Sequence, residues 1–396
     1  MNTVFEQCSL GPLRLKNRIL RSATHEGMAL ANGMPSEGLA GLYERIAEGG
    51  AGAIITGYVG VMQNGRTFAN MRMFDSDAFI DVYRAITDRL RRHGTPIIAQ
   101  LAHGGSRSRS ALSGQEVISP SAQARNDYGE ACREASEAEI EAIIDSFVAA
   151  IVRARRAGFD GVQLHAAHGY LLSEFISPHL NRRRDKWGGS MENRLRIVRE
   201  IIERARREVG PFPILVKLST HEERRQGITE SDAVAIAQLL QKSSCDAIEV
   251  SCGYGDFLYT VRMHKVPSEA ILRLAPGYRE LPALQKHFLK IAMGLRRMPR
   301  PLHNYNVEAA ERMRREVDIP VIVVGGIRNI KDITDIVARR NIDFVSLSRP
   351  FIIEPDIVKK FQSGSQDQSR CIDCGYCLIG VTDGPVRCYY GRLPRP

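Results

Sequence analysis

Short apolar runs alternate with amphipathic stretches along most of the chain. Each run has the length of a β-strand, and the stretches between them repeat apolar residues at helical spacing, as residues 77–93 do. The predicted strands are residues 19–22, 53–56, 97–101, 161–165, 214–218, 247–251, 321–324 and 344–348. Eight strands separated by helices predict an α/β fold, a (β/α)8 TIM barrel. A doubly wound sheet is the main rival, but no Gly-x-Gly-x-x-Gly follows an early strand.

Several predicted helices begin with residues that favour an N-terminus. Ser136 and Glu139 have the spacing of a capping box, in which each side chain accepts from a backbone N–H of the other residue. Ser190, Thr229 and Asn329 stand where N-caps are expected. These positions support separate strand–helix units.

One connection is longer than a barrel needs. After the sixth predicted strand, residues 306–317 supply the required helix, so residues 252–305 form a long excursion over the catalytic face. We therefore expect a barrel domain at residues 1–362, with the excursion as a lid-like part of it. Residues 363–396 are expected to form a linker and a short cysteine-rich C-terminal tail.

Polar side chains gather where the fourth predicted strand ends. His165, His168 and Tyr170 lie there, at the strand end where barrel enzymes place their catalytic residues. Two imidazoles can donate hydrogen bonds to one substrate oxygen, and a phenol can supply a proton. This set suits the reduction of a double bond activated by a carbonyl. A lone histidine at a strand end is more often structural, but three such groups close together favour an active site.

The sequence after Tyr170 extends this motif. Three further pieces follow in order: Ser177-Pro178, Asn181-x-Arg183-x-Asp185 and Gly188-Gly-Ser-x-Glu-Asn-Arg194. Together with the His-Ala-Ala-His-Gly-Tyr stretch, they resemble the Old Yellow Enzyme family of NAD(P)H:flavin oxidoreductases. The resemblance covers about residues 5–362. It implies a bound FMN and NADH or NADPH as the electron donor.

The loops after the seventh and eighth predicted strands carry a glycine pair and an arginine. Barrel enzymes commonly hold a phosphate at these loops. Gly325 and Gly326 alone would indicate only a turn. With Ser348 and Arg349 in the next loop, they match the way in which the family binds the FMN phosphate.

The resemblance also implies contacts with the flavin ring at the ends of earlier strands: Ser22, Ala23, Thr24, Gly57, Gln100 and Lys217. Lys217 stands where the family more often has arginine, but an ammonium can still stabilise a reduced, anionic flavin. Taken singly, Gln100 and Lys217 would be interpreted as a buried polar pair or as part of a salt bridge. Their places at strand ends beside His165 and Arg349 favour a shared ligand.

Four cysteines near the C-terminus follow the pattern Cys371-x2-Cys374-x2-Cys377-x10-Cys388. Closely spaced thiolates suit an iron–sulfur cluster, whereas structural zinc more often takes two separated pairs. We expect a [4Fe-4S] cluster, with zinc as the second choice and a disulfide as the least expected state. The segment is similar to the cluster segment of the 2,4-dienoyl-CoA reductase branch, with shorter gaps, and the FAD/NAD(P)H domain of that branch has no counterpart here.

Composition and charge narrow the class of protein further. The 396 residues carry a formal net charge of +10, but the basic residues are dispersed, apart from residues 286–300, and no nucleic-acid motif is present. No apolar run reaches the ~18 residues of a membrane span, and the first residues lack a secretory signal. We therefore expect a cytoplasmic protein with no nucleic-acid or membrane partner. A homo-oligomer stays open.

Taken with the resemblance, these residues predict an FMN-dependent ene-reductase that uses NAD(P)H and acts on a small-molecule enone or enoyl substrate. Two alternatives stay open. One is an electron-transfer subunit that uses FMN and the tail cluster. The other is a demethylating flavoenzyme of the trimethylamine dehydrogenase type, disfavoured because no cysteine stands beside Thr24 to tether the flavin.

Overall fold

The computed structural model describes residues 3–255 and 257–393. Within them, eight parallel strands close into a barrel: Ile19–Arg21 (β1), Ala53–Ile55 (β2), Ile97–Ala102 (β3), Gly161–Ala166 (β4), Ile214–Ser219 (β5), Ala247–Ser251 (β6), Val321–Val324 (β7) and Phe344–Leu347 (β8). Each strand pairs with the next in chain order, and β8 returns to β1 where Val345 lies opposite Ile19. The predicted barrel is confirmed, and each predicted strand ends within one residue of the observed end.

A helix follows each strand on the outside of the barrel: Gly38–Glu48 (α1), Ile80–Arg91 (α2), Glu137–Arg156 (α3), Met191–Val209 (α4), Glu230–Lys242 (α5), Val307–Glu316 (α6), Ile330–Ala338 (α7) and Ile357–Ser363 (α8). The predicted N-caps are confirmed. Ser136 and Glu139 form the capping box of α3, and Ser190, Thr229 and Asn329 accept backbone N–H bonds at the starts of α4, α5 and α7. None of the described helices is both long and apolar enough to cross a membrane.

Shorter elements occupy the loops. The short strands are Cys8–Leu10, Leu13–Leu15, Val59–Gly60, Arg72–Met73, Ile118–Ser119 and Arg133–Glu134. The short helical pieces within the loops before the excursion are Gln63–Gly65, Asp77–Phe79, Gly105–Arg107, Ser110–Ser113 and Leu171–Ile176, and Arg349–Ile353 follows β8.

The apolar core has two parts. The larger part lies between the strands and the outer helices, where residues at helical spacing such as Ile140, Ile143 and Phe147 of α3 are fully buried. The smaller part fills the barrel interior near the amino ends of the strands, where the N-terminal hairpin closes the barrel with Leu10 and Leu15. Because this end is filled with apolar side chains, the polar residues of the interior lie towards the carboxyl ends.

The excursion and the tail pack together beside the carboxyl end of the barrel. The excursion forms the helices Phe257–Thr260, Ser268–Leu274 and Ala283–Gly294, and the tail forms the helix Tyr376–Gly380. Arg279 of the excursion pairs with Asp383 of the tail at 2.8 Å. The segment expected to be a linker is bound to the barrel, since Ser369 N–H donates to the Arg328 carbonyl at 2.8 Å.

A buried charge cluster supports the first two loops. Glu26 pairs with Arg21 at 2.9 Å and with Arg72 at 2.8 Å, and it accepts from the Tyr43 hydroxyl at 2.7 Å and the Gly57 N–H at 2.8 Å. Burial alone would raise the pKa of Glu26, but the two guanidiniums and these hydrogen bonds outweigh it and lower the pKa to about 2.

Glu26→Gln should lower the free energy of unfolding at neutral pH by about 3–5 kcal/mol, because it leaves two buried guanidiniums without a counter-charge. The folded pKa lies below the unfolded value, so the ion pairs stabilise fully above about pH 4.5 and are lost as the pH falls towards 2. Denaturant unfolding of both proteins between pH 7 and 3 measures this. Asp81→Asn, at an exposed pair, is the control and should change little. An equal deficit for Glu26→Gln at every pH would contradict the assignment.

Candidate active site

Two adjacent cavities open at the carboxyl end of the barrel. The central cavity, of about 750 Å³, is lined by His165, Tyr170, Thr24 and Gln100, among others. The lateral cavity, of about 540 Å³, lies against the loops after β7 and β8. The two share a wall formed by Ala23, His168, Lys217, Thr260, Val261, Ser348 and Arg349.

All the predicted catalytic and flavin-contacting residues except Gly57 line one or both cavities. Ser22, Gly325 and Gly326 line the lateral cavity. Gly57 instead donates its N–H to Glu26, and a side chain at this glycine would collide with that carboxylate. The fold therefore brings predicted residues from six of the eight strand ends to one place.

The two histidines and the tyrosine form one wall of the central cavity. The ring centroid of His165 lies 5.2 Å from that of His168 and 4.5 Å from that of Tyr170. His168 has a left-handed backbone with φ of +63°, and its N–H donates to the Ser219 hydroxyl at 3.1 Å. Its Nε2 lies 2.7 Å from the Ser251 hydroxyl. His165 Nδ1 is buried without a hydrogen-bond partner among the described residues, so it is available to a ligand.

Electrostatics keep this wall uncharged at neutral pH. Burial lowers the pKa of His165 well below its usual range, and the positive charges of Lys217 and Arg107 lower it further. The pKa of His168 is lowered in the same way, with His165 as an additional cause. Burial raises the pKa of Tyr170, which therefore keeps its proton. Neutral imidazoles and a protonated phenol can donate hydrogen bonds to an oxygen atom of a substrate.

A buried hydrogen-bond network lies at the base of the cavities. Gln100 donates to Gln163 at 2.7 Å, and Gln163 donates to Glu249 at 2.8 Å. Glu249 also accepts from the hydroxyls of Ser22 and Ser346, both at 2.6 Å, and pairs with Lys217 at 3.0 Å. Burial alone would raise the pKa of Glu249, but the Lys217 ammonium and these bonds outweigh it and lower that pKa.

This network revises the prediction for Lys217. The residue lines both cavities, yet its charge is paired with Glu249, so the two together are neutral. The salt bridge, one of the alternatives left open by the sequence, is present, and a shared ligand at Lys217 stays a prediction. Sequence reasoning missed Gln163 and Glu249. A signal existed, because each is a polar residue inside an otherwise apolar strand run.

The lateral cavity combines two glycines with two arginines. Gly325 and Gly326 have φ of +146° and +70°, and a side chain at Gly326 would clash with the Leu302 carbonyl. Arg328 and Arg349 both pair with the buried Asp373 of the tail. Arg349 Nη1 lies 3.0 Å from Asp373 Oδ1, but the two atoms are outside hydrogen-bond geometry. This buried nitrogen therefore has no hydrogen-bond partner in the described chain. The cavity therefore offers a guanidinium donor to an anion.

The four tail cysteines line a small cavity of about 380 Å³ beside Arg349. No three His, Cys, Asp or Glu side chains of the described residues are gathered closely enough to hold a single metal ion. Cys377 also lines the central cavity, together with Leu378, Val381 and Val386 of the tail. Sequence reasoning missed these apolar residues, because nothing local to them indicates that the tail reaches the barrel mouth.

Tyr58 and His25 are further lining residues that sequence reasoning missed. The Tyr58 ring centroid lies 5.4 Å from that of Tyr170, and the His25 ring stacks on Tyr58 at 5.0 Å. They follow β2 and β1 and extend the aromatic wall around the three predicted catalytic residues.

A closed parallel barrel with its polar cavities at the carboxyl end belongs to the TIM-barrel class of enzymes. The chain is a member of the NADH:flavin oxidoreductase / NADH oxidase family, whose model matches residues 3–257 and 269–368. This confirms the resemblance to the Old Yellow Enzyme family and the predicted class of oxidoreductase.

Individual relatives agree with this assignment. The chain is 31% identical over 393 residues to a metal reductase of Desulforamulus reducens, which covers 98% of this chain and 53% of that protein. It is 30% identical to a 4,4'-dithiodibutanoate disulfide reductase of Rhodococcus erythropolis, over 98% of this chain and 94% of that protein. An Old Yellow Enzyme homologue of Zymomonas mobilis superposes with a TM-score of 0.74 at 25% identity, over 97% and 99% of the two chains. The chain thus spans about half the length of some curated relatives.

Gly326→Ala should destabilise the fold more than Gly114→Ala. Both glycines have φ of +70°, so each substitution carries the left-handed cost of roughly 1–2 kcal/mol. Only at Gly326 does the new methyl group also clash with backbone, whereas Gly114 faces open space. Thermal unfolding of the two variants tests this difference, and equal losses would show that the loop after β7 gives way to a side chain.

Proposed function

We propose that this protein is an FMN-dependent NAD(P)H oxidoreductase that reduces the C=C bond of α,β-unsaturated carbonyl compounds. The observation that carries the proposal is the wall formed by His165, His168 and Tyr170, in which a buried imidazole nitrogen has no hydrogen-bond partner among residues 3–255 and 257–393. A buried polar group without a hydrogen-bond partner destabilises the folded protein, and a bound ligand can supply that partner.

The residues around the two cavities suit FMN. The phosphate fits the lateral cavity, which Gly325 and Gly326 line and where Arg349 has a buried donor without a hydrogen-bond partner among the described residues. Gln100 and Lys217 are polar groups at the base of the central cavity that can hold the pyrimidine edge of the ring. Ser22, Ala23, Thr24 and Ser348 complete this set of proposed contacts. Gly57 has a supporting role, since it shapes the loop around Glu26.

Bound FMN supplies hydride transfer between a nicotinamide and an activated alkene. The residues of the chain bind and orient the substrate for that transfer. His165 and His168 donate hydrogen bonds to the substrate carbonyl oxygen and stabilise the negative charge that develops there. Tyr170 holds a proton at its hydroxyl, which burial keeps in place, and donates it to the α-carbon. Tyr58 and the tail residues Leu378 and Val381 limit access of water.

Tyr170→Phe should keep the fold and the flavin and lower alkene turnover by a factor on the order of 10² to 10⁴, because only the proton donor is removed. His165→Ala should slow oxidation of the reduced enzyme by an enone about 10²-fold or more, while reduction by NAD(P)H continues. Stopped-flow absorbance of each half-reaction separates these effects.

A control variant and a second electron acceptor extend this experiment. Tyr259→Phe removes a hydroxyl from an exposed tyrosine of the excursion and should leave both half-reactions unchanged. A parallel assay with a linear disulfide as acceptor is informative, because a relative of similar length is named for a disulfide substrate. Equal loss of both half-reactions in His165→Ala, or unchanged turnover in Tyr170→Phe, would overturn the assigned roles.

We further propose that Cys371, Cys374, Cys377 and Cys388 hold a [4Fe-4S] cluster, with zinc as the second choice. The four side chains line one cavity but do not converge on a single point. Each thiolate of a cubane binds a different iron, whereas the ligands of one zinc ion lie about 2.3 Å from a shared centre. A common cavity with separated thiols therefore suits the cluster better.

Protein prepared without oxygen should contain about four irons and matching sulfide per chain, because each of the four cysteines binds one iron of a cubane. Elemental analysis with electron paramagnetic resonance of the reduced protein tests this, and Cys374→Ala should lose the iron. Cys245→Ala, at a buried thiol elsewhere, is the matched control. One zinc per chain without iron would assign a structural site, and metal-free protein would refute both versions.

One observation supports a second candidate function. Cys377 lines both the cysteine cavity and the central cavity, so a cluster there would lie beside the proposed flavin. This arrangement suits an electron-transfer protein in which flavin and cluster exchange single electrons. Retained enone turnover in Cys374→Ala, with loss of reduction by a one-electron donor, would support this additional role.

A further inference from the structure

A further cavity on the catalytic face is strongly basic. It has a volume of about 680 Å³ and is formed by the loops after β3, β4, β5 and β6, across the barrel mouth from the lateral cavity. We call it the basic pocket, and its principal lining residues are Arg107, Arg125, His179, Arg182, Arg224 and Tyr254.

The basic pocket carries more positive charge than its carboxylates can balance. Arg107 pairs with Asp127 at 2.9 Å. The side chains of Arg125, Arg182 and Arg224 have no carboxylate within ion-pair distance in the described parts of the chain. Three uncompensated guanidiniums in one concavity attract an anion of high charge.

The pocket is also shaped for a planar, phosphate-bearing ligand. The Arg224 guanidinium lies over one face of the Tyr254 ring, 5.3 Å from the centroid, and His179 meets the same ring edge-on at 6.3 Å. A tyrosine beside guanidiniums can stack with an aromatic base while the guanidiniums bind phosphate in a bidentate manner. The loop carrying Arg125 is held in place before a ligand binds, since Asn126 Nδ2 donates to the Ser106 carbonyl at 2.8 Å.

Arg107 and Tyr254 place the basic pocket directly behind the catalytic loop. Gly169, between His168 and Tyr170, packs so closely on them that a side chain there would clash with the Tyr254 carbonyl and lie 3.2 Å from Arg107 Nε. The charge of Arg107 also contributes to the lowered pKa of His165. The basic pocket and the central cavity therefore lie close together, on either side of this loop.

We propose that the basic pocket binds an adenosine bisphosphate group. This proposal rests on the proposed function, because two ligands of such an enzyme carry this group. NADPH contains adenosine 2′,5′-bisphosphate, and a coenzyme A thioester contains adenosine 3′,5′-bisphosphate. In either case the guanidiniums neutralise the phosphates and the Tyr254 ring stacks with adenine.

The first test measures binding without any redox chemistry. Adenosine 2′,5′-bisphosphate, adenosine 3′,5′-bisphosphate and 5′-AMP are titrated into the purified full chain by calorimetry. We expect one of the bisphosphates to bind more tightly than 5′-AMP, with affinity falling as salt is added, since the interaction is largely ionic. Tighter binding of the 2′,5′ isomer assigns the pocket to NADPH, and tighter binding of the 3′,5′ isomer assigns it to an acyl-CoA. Failure of both bisphosphates to bind overturns the proposal.

Variants locate the site. Arg125→Ala combined with Arg224→Ala should weaken the preferred bisphosphate about tenfold or more, since two guanidiniums that contact phosphate are lost. Arg207→Ala, which removes one exposed charge on the outer helix α4, should not. Thermal unfolding verifies that the double variant is folded. Equal affinities in the double variant and in Arg207→Ala would refute the assignment.

Steady-state kinetics then separates this proposal from the proposed function. In the double variant, the KM for NADPH or for an enoyl-CoA should rise about tenfold or more, while turnover with NADH and a small enone is retained. An enzyme without ene-reductase activity that still binds the bisphosphate at this pocket would disprove the proposed function alone. An active enzyme whose KM values are unchanged in the double variant would disprove the basic pocket alone.

Discussion

The site depends above all on one buried carboxylate. Glu249 of β6 accepts from Ser22 after β1, from Gln163 of β4 and from Ser346 of β8, and it pairs with Lys217 of β5. An unpaired carboxylate inside a barrel would destabilise the fold by several kcal/mol. The strands must therefore be aligned so that the partner side chains reach Glu249. The parallel register meets this need, because Lys217 lies directly opposite both Glu249 and His165 in the sheet.

The barrel interior is consequently divided along its axis. Apolar residues and the N-terminal hairpin fill the amino end, and the Glu249 network forms the base of the cavities at the carboxyl end. The network neutralises Lys217, and burial keeps the two histidines uncharged. The wall of His165, His168 and Tyr170 therefore offers uncharged hydrogen-bond donors, while the arginines of the basic pocket lie in the loops outside the central cavity.

The tail is part of the site through three separate contacts. Asp373 pairs with Arg328 and Arg349, the Val386 N–H donates to the Glu26 carbonyl at 2.7 Å, and Leu378 and Val381 line the central cavity. Asp373 has a left-handed backbone with φ of +55°, which its ion pairs help to hold. Asp373, the partner of the arginine proposed to bind phosphate, thus shares one short segment with the proposed cluster cysteines, so changes in the tail should affect both.

The sequence by itself determined the barrel, the helix starts and the His165, His168 and Tyr170 set, because periodicity, capping and local motifs depend on residues close together in the chain. Through the family resemblance it also predicted residues for flavin contact, and all of these except Gly57 line the two cavities. Only the tertiary structure decided that Glu249 pairs with Lys217, that the tail lines the central cavity, and that four separate loops form the basic pocket. A local pattern indicates that a residue is buried, but its partner depends on strand register and on how distant loops pack, and neither is encoded in neighbouring residues.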